Sequence, residues 1–317
     1  MEFLTVNERA KSDPAAFVAE CEAEYRAKIQ KAARRIAEHI DTNPIVLLSG
    51  PSGSGKTTTA QKLAEALGAF DIGSHSVSLD NYFKTVDPET APRTEKGEID
   101  YESPYCLDLP LLHAQIAAMV RCERVDTPKF LFSEQRRSDA TIPLTRRHNE
   151  VVIIEGIHAL SDLITQSAGG HGIKLYVSAR SNFTEDGRVV FKGTWTRLIR
   201  RIVRDDRFRG TRAEFTLRIW DDIRTGEKKF ISPFKERADI IINSTHGYEI
   251  NMLKKHILPL LDEIPAGIAR EDEVRQIPLA LARFCDIEDA LVPKDSLLRE
   301  FIGGGSFHYY REKACNL

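Results

Sequence analysis

The chain has 317 residues, of which 29% are charged, and its formal net charge is −2. This length allows one large domain with extensions, and the balance of charge excludes a broad polyanion-binding surface or an acidic tail. Any phosphate chemistry must therefore depend on a local group of residues.

The cysteines and the N-terminus indicate the cellular setting. The five cysteines are scattered, and no pair has the CxxC or Cys/His spacing of a metal site. The N-terminus lacks a basic segment followed by an apolar one, and no stretch approaches roughly 18 consecutive apolar residues. We therefore expect a soluble cytoplasmic protein with free thiols.

The predicted elements begin with a long amphipathic helix at 14–40, capped by Asp13 and with Pro14 in its first turn. Beyond it, short β-branched runs alternate with helical stretches, a pattern that predicts a parallel sheet covered on both faces. Strands are predicted at 45–50, 76–80, 151–155, 173–178 and 239–244, and helices at 56–67, 108–122, 194–206, 212–225 and 249–262.

Three regions are predicted along the chain. An N-terminal helical extension (1–43) precedes a central α/β domain (44–262), and a C-terminal extension (263–317) follows it. The C-terminal extension has too few apolar residues for a second core, and its run of three glycines, 303–305, cannot form regular structure. We expect it to pack against the central domain.

The sequence GPSGSGKT (50–57) follows a predicted strand and opens a predicted helix, as the phosphate-loop pattern G-x-x-x-x-G-K-[ST] requires. Its glycines let backbone N–H groups turn toward phosphates, and the helix N-terminus adds partial positive charge. Lys56 is expected to reach the β- and γ-phosphates of a bound nucleotide, and the Thr57 hydroxyl to bind Mg²⁺. The predicted cradle consists of Gly50, Ser52, Gly53, Ser54, Gly55, Lys56, Thr57 and Thr58.

Two carboxylates end predicted strands. Asp80 is expected at the carboxyl edge of the sheet, where it could accept the proton of an attacking hydroxyl or simply cap a turn. Glu155 ends the apolar run VVIIE, which is predicted beside the phosphate-loop strand. It could orient Mg²⁺ there, or it could be a helix cap or a paired core acid. Thr57, Asp80 and Glu155 are the predicted metal ligands.

The chain resembles the phosphoribulokinase/uridine kinase family of P-loop kinases over about residues 44–262. The resemblance is carried, in the family's order, by GPSGSGKTT, SLDNYF, YESPYCLD, TPKFLF, VVIIEGI, RLIRRIVRDDRFRG and ADIIINS. It implies an α/β P-loop NTPase kinase fold, with a parallel sheet of about five strands flanked by helices and with helical extensions at both ends.

The resemblance also implies roles for single residues. Asp80 would be the general base, and Lys56 and Arg204 would assist catalysis. The implied acceptor-binding residues are Asp80, Tyr82, Glu102, Phe130, Phe132, Gln135 and Arg201. Glu102 stands where uridine kinases have Asp and would hold ribose hydroxyls, and the two phenylalanines match positions that flank the base, with core packing as the alternative. Three positions depart from the uridine kinase pattern: Gln135 replaces a base-reading His, Phe130 replaces a Tyr, and residues 82–83 reverse the usual Phe-Tyr order.

Seven arginines lie on the segment TRLIRRIVRDDRFRGTR, within a predicted lid at about 194–212. In resembling kinases this lid brings arginines to the transferring phosphoryl group. Arg201, Arg204 and Arg209 occupy the matching positions, and Arg201 and Arg209 would contact the nucleotide. A solvated helix face balanced by Asp205 and Asp206 is the alternative.

The sequence thus predicts an ATP- and Mg²⁺-dependent kinase that phosphorylates a small-molecule hydroxyl, first of all the 5′-hydroxyl of a uridine- or cytidine-like nucleoside. A sugar phosphate or a pantothenate-like acceptor is the enzymatic alternative. A nucleotide-responsive regulatory module is the alternative of another class, with the helix 14–40 and the tail after 265 as partner surfaces. We expect no nucleic-acid or membrane partner, and a homo-oligomer stays open.

Overall fold

The computed structural model of the chain describes residues 1–95, 97–131, 134–265, 267–268 and 270–307. Its helices are α1 (Phe3–Ser12), α2 (Pro14–Ala37), α3 (Lys56–Gly68), α4 (Leu109–Val120), α5 (Asp162–Thr165), α6 (Gly193–Arg209), α7 (Ala213–Phe230), α8 (Glu249–Asp262), α9 (Glu271–Leu281) and α10 (Arg299–Ile302). Its strands are β1 (Ile45–Ser49), β2 (Gly73–Ser78), β3 (Val125–Thr127), β4 (Phe130–Leu131), β5 (Arg136–Arg137), β6 (Ile142–Leu144), β7 (Glu150–Glu155), β8 (Gly172–Ser178), β9 (Phe183–Glu185), β10 (Arg188–Phe191) and β11 (Ile240–Asn243).

The central sheet is parallel, with the strand order β11-β8-β1-β7-β2. Every residue of β1 is buried: Val46 and Leu48 join one hydrophobic cluster, and Ile45 and Leu47 join the cluster on the other face. The predicted sheet, covered by helices on both faces, is confirmed. The chain order reverses at β1, so the carboxyl ends of β1 and its neighbours form the crevice in which sheets of this type bind ligands.

The end of strand β2 determines where Asp80 lies in the candidate site. This strand ends at Ser78, two residues earlier than predicted, so Asp80 lies in a 3₁₀ turn, Leu79–Tyr82, beyond the strand. Helix α1 and the short antiparallel pairs β3–β6, β4–β5 and β9–β10 were not predicted from the sequence. These pairs have only two to four residues per strand, too few for a clear periodic pattern.

The two terminal regions pack into the same core as the central domain. Asp13 caps α2 by accepting a hydrogen bond from the Ala16 backbone N–H, as predicted. Phe3 of α1 contacts Phe284 at a ring-centroid distance of 4.9 Å. Phe301 of α10 is fully buried in the cluster that also contains the β1 residues Val46 and Leu48. The N-terminal helices and the C-terminal segment therefore meet on one face of the sheet.

The described residues also bear on the cysteines and on membrane spans. Cys21, Cys106, Cys122 and Cys285 are free thiols, and Cys315 lies outside the described residues. Across the described part of the chain, no helix combines the length and the apolar character that a bilayer crossing demands.

Candidate nucleotide and acceptor site

The phosphate loop joins β1 to α3, and its glycines meet the close contacts that such a loop requires. A Cβ on Gly50 would lie 2.0 Å from the Val177 carbonyl oxygen, and a Cβ on Gly53 would lie 2.8 Å from that of Arg197. Gly53 and Gly55 have φ angles of +72° and +83°, in the left-handed region that favours glycine. Side chains at these positions would push the loop away from its surroundings.

Polar groups of the loop converge at the start of α3. The hydroxyl of Ser54 is buried, and within the described residues it has no hydrogen-bond partner. Lys56 donates from Nζ to the Pro51 carbonyl oxygen at 3.3 Å. A buried hydroxyl, a lysine and the N–H groups at the start of a helix form a set of donors that suits an anionic phosphate chain.

Three groups meet at the carboxyl edge of the sheet. Strand β7 lies between β1 and β2, with Glu155 beside Leu48 on one side and Ser78 on the other. Glu155 accepts a hydrogen bond from the Ser78 side chain, and Asp80 and Lys56 both act on it electrostatically. The structure therefore brings Lys56, Asp80 and Glu155 together, although they are up to about a hundred residues apart in sequence.

The charges at this edge alter one another's proton affinity. Burial raises the pKa of Glu155 to about 7; the neighbouring Asp80 adds to this rise, and Lys56 opposes it. Burial lowers the pKa of Lys56, and the carboxylates Glu155, Asp80 and Glu300 counteract this shift. A cation added beside Glu155 would favour its ionised form.

The residues present suit a magnesium ion that is shared with a nucleotide. Within the described chain, no group of three or more His, Cys, Asp or Glu side chains could hold a metal by itself. Mg²⁺ commonly uses one or two carboxylates and takes its remaining ligands from water and substrate phosphates. Asp80, Glu155 and the Thr57 hydroxyl supply a set of that size beside the phosphate cradle.

Replacing Glu155 with Gln should change the pH dependence of stability. The unfolded chain releases this proton near pH 4.5, whereas the folded protein releases it near pH 7. Between these values the folded state binds more protons than the unfolded state, so the free energy of unfolding falls as pH rises through this window. Glu155→Gln should remove the part of this fall that Glu155 causes and gain about 3 kcal/mol at pH 8, measured by chemical denaturation without ligand. It should also raise the Mg²⁺ concentration needed for half-maximal turnover.

Glu150 offers a matched control at the other end of the same strand. Burial acts to raise its pKa, but hydrogen bonds from the Arg147 backbone and from His75 outweigh burial and lower it. Glu150→Gln should therefore lose stability at neutral pH and leave the Mg²⁺ dependence unchanged. An unchanged Mg²⁺ dependence in Glu155→Gln would make Glu155 a purely structural acid.

Six of the seven arginines of the predicted lid lie on α6, and Arg212 precedes α7. Helix α6 packs into the core through Leu198, Ile199, Ile202 and Val203. Three matched arginines surround one buried carboxylate, that of Asp205. Arg201 is 3.2 Å from it, Arg204 is 2.7 Å away and Arg209 is 3.5 Å away. The simple alternative of a solvated face does not describe this cluster, because Asp205 is only 2% exposed.

Arg201 connects this cluster to the phosphate loop. Its Nη1 donates to the Ser52 Oγ at 2.7 Å. Burial lowers its pKa, and Asp205 opposes that shift. Arg204 acts electrostatically on Lys56. Arg201 and Arg204 thus lie on the nucleotide side of the site, whereas Arg209 lies at the exposed end of the helix, with 45% of its side chain accessible.

Two further arginines of α6, for which the sequence predicted no role, form hydrogen bonds with the backbone of the phosphate loop. Arg197 pairs with Glu227 at 2.5 Å and donates to the Ser52 carbonyl oxygen at 3.2 Å. Arg200 pairs with Glu249 at 2.7 Å, with both side chains fully buried, and donates to the Gly53 carbonyl oxygen at 3.3 Å. Removing one partner of such a buried ion pair would leave the other charge unpaired and would destabilise the protein. We therefore expect Arg197 and Arg200 to stabilise the phosphate loop.

A mainly apolar cavity of about 240 Å³ opens beside the Asp80 turn. Its lining includes Phe83, Tyr101, Tyr105, Phe130 and Gln135. The Phe83 and Phe130 rings lie 5.8 Å apart at an angle of 56°. The Phe130 backbone N–H donates to Asn81 Oδ1 at 3.2 Å, which fixes strand β4 to the turn that carries Asp80. An aromatic cavity therefore adjoins the predicted base.

The structure corrects one of the acceptor positions and leaves another undescribed. Tyr82 is fully buried, and its hydroxyl donates to Gln115 Oε1 at 2.6 Å, so this ring belongs to the core and does not line the cavity. The 3₁₀ turn directs Tyr82 inward and leaves the next residue, Phe83, at the cavity. Phe132 lies outside the described residues.

Glu102 lies on the phosphate side of the site, and the described cavity lining does not include it. Burial raises its pKa to about 7, with Arg201 and Lys56 opposing the rise. The backbone of Glu102 lies near His158, a residue that no sequence motif indicated. The His158 ring is 2% exposed, burial lowers its pKa to about 4, and within the described residues neither ring nitrogen has a normal hydrogen-bond partner.

Comparison with known proteins agrees with this geometry. A model of the phosphoribulokinase / uridine kinase family matches residues 45–251. The chain belongs to this family. Membership makes the protein a P-loop kinase whose substrate is a small molecule.

Individual relatives are distant. The chain is 26% identical to a uridine kinase of Halobacterium salinarum over 228 residues, which are 71% of this chain and 91% of that protein. It is 29% identical to a uridine kinase of Staphylococcus aureus over 202 residues, 62% of this chain and 86% of that protein. A solved structure of D-glycerate 3-kinase from Cryptococcus neoformans is 16% identical, with a TM-score of 0.43 over 64% of this chain and 88% of that one.

Proposed function

We propose that the protein transfers the γ-phosphoryl group of ATP, with Mg²⁺, to a hydroxyl of a nucleoside, and that the acceptor is the ribose 5′-hydroxyl. The observation that carries this proposal is the meeting of Lys56, Asp80 and Glu155 at one sheet edge beside an aromatic cavity. Uridine kinases among the relatives support a nucleoside as the first acceptor to consider.

The nucleotide end of the reaction relies on the phosphate loop. Backbone N–H groups of the loop and of the first turn of α3 would hold the β- and γ-phosphates, with Lys56 balancing their charge. Arg201 and Arg204 would face the charge that develops on the transferred group. Bound Mg²⁺ supplies further neutralisation of the phosphates, and Thr57, Asp80 and Glu155 are the residues that would hold it.

The acceptor end relies on Asp80. This residue is exposed in the 3₁₀ turn that leads to the cavity-lining residue Phe83, so an acceptor hydroxyl could reach its carboxylate without rearrangement of the core. Asp80 would accept the hydroxyl proton, becoming neutral, as the oxygen bonds to the γ-phosphorus and ADP leaves; Lys56 would balance the negative charge of the phosphates. Asp80 would therefore act directly on the acceptor, and it would also be one of the residues that hold Mg²⁺.

The cavity supports a flat aromatic moiety in the acceptor. The Phe83 and Phe130 faces and the Tyr101 and Tyr105 rings offer stacking surfaces, and Gln135 offers a donor and an acceptor to a base edge. Glu102 would hold ribose hydroxyls on the phosphate side. A sugar phosphate would instead require several cations around the cavity, and Lys84 is the cation among its described lining residues.

An acceptor panel tests the proposal. The protein is incubated with ATP, Mg²⁺ and either nucleosides, pantothenate or sugar phosphates, and the products are identified by mass spectrometry. We expect a nucleoside 5′-monophosphate and no product that requires a phosphorylated acceptor. Transfer to a sugar phosphate or pantothenate alone would replace the nucleoside, and ATP binding without transfer to any acceptor would favour the regulatory module.

A further inference from the structure

The C-terminal brace, residues 295–302, contacts the phosphate-loop helix although it lies outside the residues that match the family. Asp295 forms an ion pair with Lys62 of α3 at 2.8 Å. Leu297 lies against Gly55, where an added Cβ would be 2.5 Å from Leu297 Cδ1. The brace therefore touches α3 both at its first residues and about two turns further on.

Glu300 makes the most direct contact between the brace and the first turn of α3. Its Oε2 accepts a hydrogen bond from the Thr58 hydroxyl at 2.5 Å, and the Thr58 backbone N–H lies 3.4 Å from the same oxygen. Glu300 is 4% exposed and Thr58 is fully buried. The N–H groups of a first helical turn have no partner within the helix, so this carboxylate accepts from one of these donors and adds negative charge at the positive helix end.

Further contacts hold the brace in place. The Phe301 ring lies under the Arg200 guanidinium at 5.1 Å, and Arg200 itself donates to the Gly53 carbonyl oxygen. Ser296 donates to the Glu22 carboxylate, which also accepts from Tyr248. The brace is thus tied to the phosphate loop through two routes, Glu300 to Thr58 and Phe301 through Arg200 to Gly53.

The charge of Glu300 also reaches the catalytic edge. It acts on Lys56 in the same direction as Glu155 and Asp80, and it acts on Glu155 as a like charge. Glu300 is buried, hydrogen-bonded to α3 and electrostatically coupled to Lys56. It therefore affects both the geometry and the charge of the phosphate cradle. The hydrogen bond to Thr58 would by itself stabilise only the fold. The electrostatic coupling to Lys56 is what connects Glu300 to nucleotide binding.

We propose that Glu300 is a positioning residue of the nucleotide site, holding Thr58 and the first turn of α3 so that Lys56 and Thr57 meet the phosphates. The inference rests on the proposed use of ATP. It makes the C-terminal extension part of the kinase site, and it assigns Glu300 no contact with the acceptor.

Titration calorimetry with ATP and steady-state kinetics test this role. Glu300→Ala should raise the dissociation constant and the KM for ATP about tenfold, with kcat within about threefold of the parent, because a positioning residue acts on ground-state binding of the nucleotide. Glu300→Gln keeps an acceptor oxygen for Thr58 but loses the charge, so it should weaken ATP binding about threefold. Glu288→Gln, an exposed change on the same C-terminal extension, should bind ATP like the parent.

The outcomes separate this inference from the proposed function. Parent-like or tighter ATP binding by folded Glu300→Ala would overturn the positioning role and leave the kinase proposal standing. A parent chain that does not bind ATP would overturn both. If circular dichroism shows that Glu300→Ala does not fold, Glu300→Gln decides, and unchanged ATP affinity in that variant would overturn the role.

Discussion

Replacing Asp80 with Asn should lower kcat by a factor of about 10²–10⁴, because the amide cannot accept the proton of the attacking hydroxyl. ATP affinity in the absence of Mg²⁺ should change little, since the contacts of the phosphate loop are intact. Asp80 is exposed in its 3₁₀ turn, so the free energy of unfolding should stay within about 0.5 kcal/mol of the parent. Initial rates with a saturating acceptor, together with ATP titration, measure both quantities.

Asp126→Asn provides the matched control for this variant. Asp126 is an exposed carboxylate of β3 that pairs with Arg124 at 3.3 Å, on the surface of the protein. This control should keep the parent rate, because an exposed ion pair contributes little to stability or to the site. A rate for Asp80→Asn within threefold of the parent would remove the general-base role and leave Asp80 as a turn or metal residue.

Replacing Lys56 with Met should lower kcat/KM for ATP by a factor of about 10²–10³, because the side chain that balances phosphate charge in a partly buried site is lost. Loss of this cation should also raise the pKa of Glu155 further, since Lys56 opposes the rise caused by burial and Asp80. The steady-state parameters for ATP and the pH dependence of unfolding measure the two effects.

Lys31→Met controls for the loss of a lysine charge. Lys31 is exposed on α2, and its replacement should leave the kinetic parameters at their parent values. Parent-like ATP kinetics in Lys56→Met would contradict the assignment of the phosphate loop as the nucleotide site.

The sequence was sufficient for the parts of the site that depend on local pattern. The phosphate-loop motif has a fixed spacing, and it stands between a buried strand and a helix, so its place in the sheet follows from the topology of open α/β folds. The same rule predicted that VVIIE lies next to the phosphate-loop strand, and the pairing of Leu48 with Glu155 confirms this. The roles given to these residues stay predictions.

Other parts of the site depend on contacts between distant segments. Glu300 meets Thr58 across 242 positions of sequence, and no local pattern at either residue specifies that pairing. Tyr82 and Phe83 are adjacent and both aromatic, so only the course of the 3₁₀ turn decides which one enters the core. The arginines of α6 look alike in sequence, yet burial separates Arg200, which supports the loop from behind, from Arg201, which faces it.

The most direct test of the account compares ADP formation with acceptor phosphorylation in one reaction. The protein is mixed with ATP, Mg²⁺ and a nucleoside, and ADP, free phosphate and phosphomonoester are followed together by phosphorus NMR. The account predicts that ADP and nucleoside monophosphate appear in equal amounts, and that little ADP forms when the acceptor is left out. ADP formed at the same rate without acceptor, and accompanied by free phosphate, would contradict it.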